Sequence, residues 1–189
     1  MKTIRRLYFY AVAFISLEVV LWGLIGLLRS IVSNVITDSA QALAQALSLI
    51  LVGVPIFLVH WLWAQRVAAG DEEEKTASLR AIFFYLTLMS TLVPVVQNLL
   101  ALINRTFITT LSLSADRSLL GGFQTWQDNI IAIVMNGFVA LYIWNILRAE
   151  WAVLPEKQNF AEVRRVYRFL WVLYSLIMVI FGAQQALSF

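Results

Sequence analysis

The sequence predicts an all-α integral membrane bundle of five transmembrane helices arranged as parallel two-helix pseudo-repeats. Three observations predict it. Apolar residues make up 61% of the 189 and charged residues 13%, against about 45–50% and ~25% in soluble domains. A soluble fold of this length has too little interior to hide that much apolar surface, whereas a bilayer accepts it. The apolar residues fall in five runs near the ~20 residues a helix needs to cross ~30 Å of hydrocarbon. The first and last runs also carry matching residues at matching spacing.

The spans are expected over residues 5–30, 40–67, 78–104, 125–149 and 163–188, within a single transmembrane domain covering 1–189. The first follows Lys2, Arg5 and Arg6 and is broken only by Glu18. Its apolar run exceeds the ~7–15 residues of a signal-peptide core, so a retained helix is expected. The second follows Asp38, spaced with Gln41 as N-cap and N3, and contains Pro55. The acidic run Asp71-Glu72-Glu73-Glu74 after it reads as a solvated turn. The third carries Thr87, Thr91, Pro94 and Asn98 on one stripe, with Ser90 and Gln97 alongside. Polar residues at helical spacing face protein or water rather than lipid, which places this helix near the bundle centre. The fourth opens with Thr125 and Asp128, again at N-cap and N3 spacing. The fifth opens on Arg164-Arg165, and its apolar run covers Phe169–Leu187.

Charge distribution orients the bundle. With five spans, one side holds eleven of the Lys and Arg residues, among them Arg5, Arg6, Arg66, Lys75, Arg80, Arg148, Lys157 and Arg164. The other side holds three: Arg29, Arg105 and Arg117. The positive-inside rule then places the N-terminus in the cytoplasm and the C-terminus outside a cell inner or plasma membrane. Tyr8, Tyr10, Trp61, Trp63, Tyr85, Trp144, Trp151, Tyr167 and Trp171 fall near the same end, where an aromatic belt is expected.

The repeat is the most specific feature. Arg5-Arg6-Leu7-Tyr8-Phe9-Tyr10 lies against Arg164-Arg165-Val166-Tyr167-Arg168-Phe169. Without a gap, Ser16-Leu17 then meets Ser175-Leu176, Val20 meets Val179 and Gly23 meets Gly182. The third span aligns more weakly through Arg80, Phe83 and Ser90. Spans two and four share an ending in Trp and Arg, His60 to Arg66 beside Tyr142 to Arg148. The unit is a helix pair, present two and a half times. The last helix therefore lacks its partner, and the missing packing is expected from a neighbouring chain or from a continuation beyond Phe189.

The Arg-Arg-Leu-Tyr-Phe-Tyr start, Gly53-Val54-Pro55-Ile56-Phe57, His60-Trp61 with Gln65-Arg66, and Pro94-Val95-Val96-Gln97-Asn98-Leu99-Leu100 resemble a bacterial membrane family catalogued as a domain of unknown function. The resemblance extends over nearly the whole chain. It implies a repeated multi-pass helical domain, often within longer membrane proteins, and no activity or functional residue.

Inventory excludes much chemistry. With no Cys and a single His, thiolate chemistry and multi-histidine metal sites cannot be built within one chain. No metalloprotease, phosphate-loop or nucleophile-elbow motif is present. No enzyme, catalytic residue, metal, cofactor or nucleic-acid partner is expected. Glu18 is the sharpest candidate for a ligand or ion site, lying about 20 Å along the helix from Arg5 and so at mid-bilayer. An intramembrane carboxylate is expensive and is a functional hypothesis by default. It serves a proton, a cation or a ligand, or it is simply satisfied inside the bundle by Trp22 or Asn136. Asn136, Pro55, Pro94 and Asn98 join it, because helices broken at mid-depth hold transporter sites. Their alternative is interhelical glue. His60, about 9 Å from Arg66, is a candidate tetrapyrrole ligand or an interfacial belt residue.

The leading reading is a non-catalytic membrane interaction module, a subunit or embedded domain of a larger assembly. Its partners are the bilayer and other membrane subunits or further copies of itself. A small transporter or channel-like protein using Glu18 is the alternative. A pigment- or haem-binding subunit through His60 is the third.

Overall fold

The computed structural model describes residues 2–32, 36–110, 124–153 and 160–187. Of the residues read above, Arg117, Lys157 and Phe189 lie outside these segments, and so do the side chains of Lys2, Asp38 and Leu187. The described residues form six helices: α1 Lys2–Val32, α2 Ile36–Gly70, α3 Glu72–Lys75, α4 Ser78–Thr110, α5 Trp126–Val153 and α6 Ala161–Leu187. Five are long and apolar enough to cross a membrane. They overrun the expected spans. At 33 residues, α4 is about 50 Å long, more than the ~30 Å hydrocarbon layer.

Local signals account for most boundaries. Thr125 caps α5 as expected: its N–H and hydroxyl donate to Asp128 Oδ2 at 2.8 and 2.7 Å, and Asp128 N–H donates back to Thr125 Oγ1 at 3.2 Å. The Asp38 cap is a different matter. α2 already begins at Ile36, so Asp38 sits inside the helix rather than at its N-cap. The acidic run is solvated only in part, with Glu72 and Glu73 exposed. Asp71 caps the short α3 through Glu73 N–H at 2.9 Å, and one turn of helix then directs Glu74 inward, where it is 5% exposed.

α1 and α4 form the middle of the bundle. α1 packs most extensively on α2 and also touches α4 and α5, while α4 pairs chiefly with α5. The α1–α2 crossing is close because glycines face it from both sides. A Cβ on Gly53 would lie 2.9 Å from Val20 Cγ2, and one on Gly23 would lie 3.0 Å from Ile50 Cγ1. Small residues let helices approach closely enough for dispersion to hold them where no hydrophobic force does. α4 confirms its predicted central place. Thr87 and Thr91 are fully buried, each hydroxyl donating to a carbonyl one turn back, 2.8 Å to Phe83 O and 2.7 Å to Thr87 O.

The core sits at the N-terminal end of the bundle, among Tyr10, Trp61, Phe83, Phe84, Tyr85, Ile143, Leu147 and Phe160. This corrects the aromatic-belt reading for Tyr10, Trp61 and Tyr85, each 4% exposed. Their rings stack inward on Phe83 and Tyr167, whereas Tyr8, Trp63 and Trp144 point outward. α6 stands apart. Phe160, Val163 and Tyr167 tie its start to the core, it packs substantially only on α4, and no residue of its most apolar window is buried.

Candidate functional site

Four helices deliver polar groups to one point at the basic end of the bundle. Arg80, in the first turn of α4, is 3% exposed. Its Nε donates to Glu150 Oε1 of α5 at 3.0 Å, and Nη2 donates to the same oxygen. Nη2 also donates to Gln65 Oε1 of α2 at 2.7 Å, and Nη1 to the Tyr10 hydroxyl of α1 at 3.2 Å. The Phe84 ring lies 4.9 Å from the guanidinium carbon. One side chain thus fastens α4 to three neighbours. Arginine suits the task because its planar fork presents five fixed donors, where lysine has a single rotating ammonium. A second pair supports the first: Arg6 Nε donates to Glu74 Oε2 at 2.8 Å and Nη2 to Glu73 Oε1 at 3.1 Å.

Beside Arg80 lies an open cavity of about 360 Å³, lined by Gln65, Ala68 and Ala69 of α2, Lys75 of α3, Arg80 of α4, and Ile146, Ala149 and Glu150 of α5. α2 and α5 do not pack extensively on each other, and the cavity occupies the gap between their ends. Its wall carries two cations and one carboxylate. Glu150 Oε1 is consumed by Arg80, but Glu150 Oε2 is buried with no hydrogen-bond partner. Among the described residues, Lys75 forms a loose ion pair with Glu72 at 3.8 Å.

Glu18 is placed differently from the expectation. It is half-buried, and the Ser90 hydroxyl of α4 reaches its Oε1 at 2.6 Å, with the Thr87 carbonyl as a second acceptor at 3.0 Å. The expected donors are elsewhere. Trp22 is 67% exposed, because its ring leaves the bundle on the outer side of α1. Asn136 is buried, but its Nδ2 donates to Ala132 O of its own helix at 2.8 Å. Asn98 likewise turns back to Pro94 O at 2.8 Å, leaving its Oδ1 buried without a partner. Pro55 and Pro94 sit inside α2 and α4, removing the hydrogen bonds that Leu51 and Ser90 carbonyls would accept. The structure therefore brings Glu18 to Ser90 and does not gather Glu18, Asn136, Pro55 and Asn98 into one site. A second, open cavity of about 260 Å³ is lined by Leu17, Phe57, Trp61, Phe83, Phe138, Val139, Tyr142 and Ile143; none of these is ionisable at neutral pH.

His60 is half-buried, with Nδ1 2.7 Å from Ile56 O and the rings of Tyr8 and Phe9 5.7 Å away. That contact commits Nδ1 as donor and leaves Nε2 as the nitrogen that could ligate a metal. Among the described residues no group of three His, Asp or Glu side chains could hold a metal ion. At the opposite end, Arg29 of α1 reaches the first turn of α5. It donates to Asp128 O at 3.2 Å and lies 3.6 Å from Asp128 Oδ1.

A family model described as a domain of unknown function (DUF5671) matches residues 6–138. The chain belongs to the DUF5671 family. The match is shorter than the near-complete resemblance expected from the motifs, since it ends within α5. Arg6, Tyr10, Gln65, Glu74 and Arg80 therefore lie within the DUF5671 segment, and Glu150 and all of α6 lie beyond it. No curated protein and no solved structure matches the chain.

Sequence reasoning missed the Arg80 cluster: Arg80 entered only as one of the basic residues of one side and as a repeat position, and Glu150 was not singled out. The signal was present. Arg80, Phe84, Thr87 and Thr91 lie at helical spacing, so the buried stripe of α4 that carries its threonines runs two turns further back, to Arg80.

Proposed function

We propose that this chain is a non-catalytic, multi-pass membrane module whose task is to present helices to other membrane subunits or to further copies of itself. The observation that carries this reading is α6. Its start is wedged into the core through Phe160 and Tyr167, while its remaining length meets little but α4. A helix fixed at one end and open along its flanks is positioned to receive a neighbour. The proposed repeat adds to this. Gly23 is packed against α2, whereas a Cβ on its sequence counterpart Gly182 would meet nothing within 4 Å. The same small residue that lets α2 approach α1 is free on α6 to admit a partner helix. The bundle is proposed to sit in an inner or plasma membrane with the basic end cytoplasmic, following the eleven-to-three distribution of Lys and Arg.

The test is native mass spectrometry of the protein extracted gently from its own membrane, compared with the Gly182→Trp variant. A larger mass that reverts to the 21.5 kDa chain in the variant is expected. A bare chain in both would refute the module reading.

A further inference from the structure

We propose that the open groove between α1 and α4 receives the transmembrane helix of a different polypeptide, one that carries a lysine or arginine near its middle and pairs it with Glu18. The inference rests on the membrane-module reading and goes beyond it, since it names a second face and the chemistry of the partner.

Glu18 lies 13 residues after Arg5 and 11 before Arg29 on α1. It therefore stands about 20 and 16 Å from the two charged ends, near the middle of the span. Only one of its carboxylate oxygens is used. Ser90 donates to Oε1 at 2.6 Å, while Oε2 takes no hydrogen bond or ion pair from the described residues. Unlike Glu150 Oε2, it is not sealed inside the bundle, so an incoming group can touch it. The neighbouring residues show where it opens. Ile15 and Trp22, at helical spacing on either side of Glu18, are 60% and 67% exposed, and Leu86, one turn before Ser90, is 46% exposed. α1 and α4 run parallel, Tyr10 meeting Arg80 and Glu18 meeting Ser90, and they touch far less than α1 and α2 do. The Glu18–Ser90 bond is thus the floor of a groove whose rims face outward. Ionisable groups at this depth face a bundle interior or a water-filled cavity and are paired; Glu18 is unpaired and reaches the outer surface. Lipid headgroups stay at the interface, too shallow to reach it. Two oxygen-bearing side chains are too few for a bare ion, since hard cations such as Ca²⁺ and Mg²⁺ take about six oxygens or more. A donor carried on a helix already in the bilayer meets the need, through a charge-assisted hydrogen bond to Oε2.

A second copy of this chain does not supply that donor. Residues 7–28, 40–64, 81–103, 130–146 and 169–187 contain no Lys or Arg, so no copy has a permanent cation at the depth of Glu18. The partner in this groove is a different chain.

The experiment places the full chain in phosphatidylcholine vesicles with a donor dye on Ile4→Cys. That position is 75% exposed, and the dye attaches nowhere else because the sequence has no Cys. Energy transfer then reports association with acceptor-labelled, leucine-rich transmembrane peptides that carry one arginine at the centre, one arginine moved seven residues (about 10 Å) from it, or none. The central-arginine peptide is expected to bind about tenfold more tightly than the other two, as one charge-assisted hydrogen bond gives. Glu18→Gln, which keeps an acceptor for Ser90, should reduce it to the level of the arginine-free peptide at unchanged helicity. Equal association of the three peptides with the unaltered groove would overturn the proposal, and so would a preference that survives Glu18→Gln. Thermal stabilisation by sodium chloride over choline chloride, lost in Glu18→Gln and accompanied by no peptide preference, would assign Oε2 to a small cation and overturn it as well. A larger native mass that depends on Gly182, together with equal peptide binding, would refute the Glu18 contact while leaving the module reading in place.

Discussion

Removing Arg80 should cost far more than removing the Arg80–Glu150 pair. In Arg80→Met, Glu150 keeps its charge but loses the donors on Oε1 while Oε2 already has none. Tyr10 and Gln65 lose a partner as well. Breaking a buried ion pair from one side costs about 3–5 kcal/mol, because the surviving charge stays desolvated. Glu150 is 19% exposed in its side chain against 3% for Arg80, so the surviving partner is the less deeply buried of the two and the lower end, about 3 kcal/mol, is expected. For a chain of this size that is roughly 6–12 °C in melting temperature at ~2–4 °C per kcal/mol. The double variant Arg80→Met with Glu150→Met removes both charges together and fills the space with thioether side chains. It should recover most of the loss, because apolar replacement of a whole buried pair is close to neutral. The assay is a double-mutant cycle on thermal or denaturant unfolding in one detergent. Additive single-site losses, with no coupling beyond about 0.5 kcal/mol, would show that the guanidinium and carboxylate are independent and would refute the clasp.

The glycine crossing should discriminate sharply between helices. Gly53→Ala places a methyl 2.9 Å from Val20 Cγ2 and should destabilise by about 1–3 kcal/mol, while Gly182→Ala, with open space around it, should change the melting temperature little; equal effects would contradict the packing of α1 on α2. Glu18→Gln keeps a polar partner for Ser90 and should lose less than about 1 kcal/mol, whereas Glu18→Leu leaves the Ser90 hydroxyl with the Thr87 carbonyl alone and should lose more. A pH-dependent flux abolished by Glu18→Gln would instead favour a transporter. Protein extracted from its own membrane should show no visible absorption band; a band lost in His60→Ala would assign His60 Nε2 to a tetrapyrrole.

Long-range composition was the legible part. Backbone groups can be satisfied only within helices or closed barrels where water is absent, so five helices long and apolar enough to cross a membrane follow from order alone. The same holds for the Thr125–Asp128 cap and the buried Thr87–Thr91 stripe, whose causes lie within a turn or two of chain. The Arg80 cluster was hidden for the opposite reason. Tyr10, Gln65 and Glu150 are each ordinary in sequence, and they meet only because α1, α2 and α5 converge on the start of α4. Glu74 illustrates the boundary between the two. Its neighbours Glu72 and Glu73 are solvated as an acidic run should be, and a single helical turn, opposite Arg6 from a distant part of the chain, decides that Glu74 is buried.

Sequence by itself determined that this chain is helical, that five of its helices are long and apolar enough to cross a membrane, and which residues open and cap several of them. These properties depend on local hydrogen bonding and on total apolar surface. Only the tertiary structure decided which charges are buried, that Glu18 meets Ser90 rather than Trp22 or Asn136, and that α6 stands at the edge with Gly182 open. Those outcomes depend on which helix lies against which, and in a chain where nearly every helical face is apolar, hydropathy cannot tell a face that meets protein from one that meets lipid.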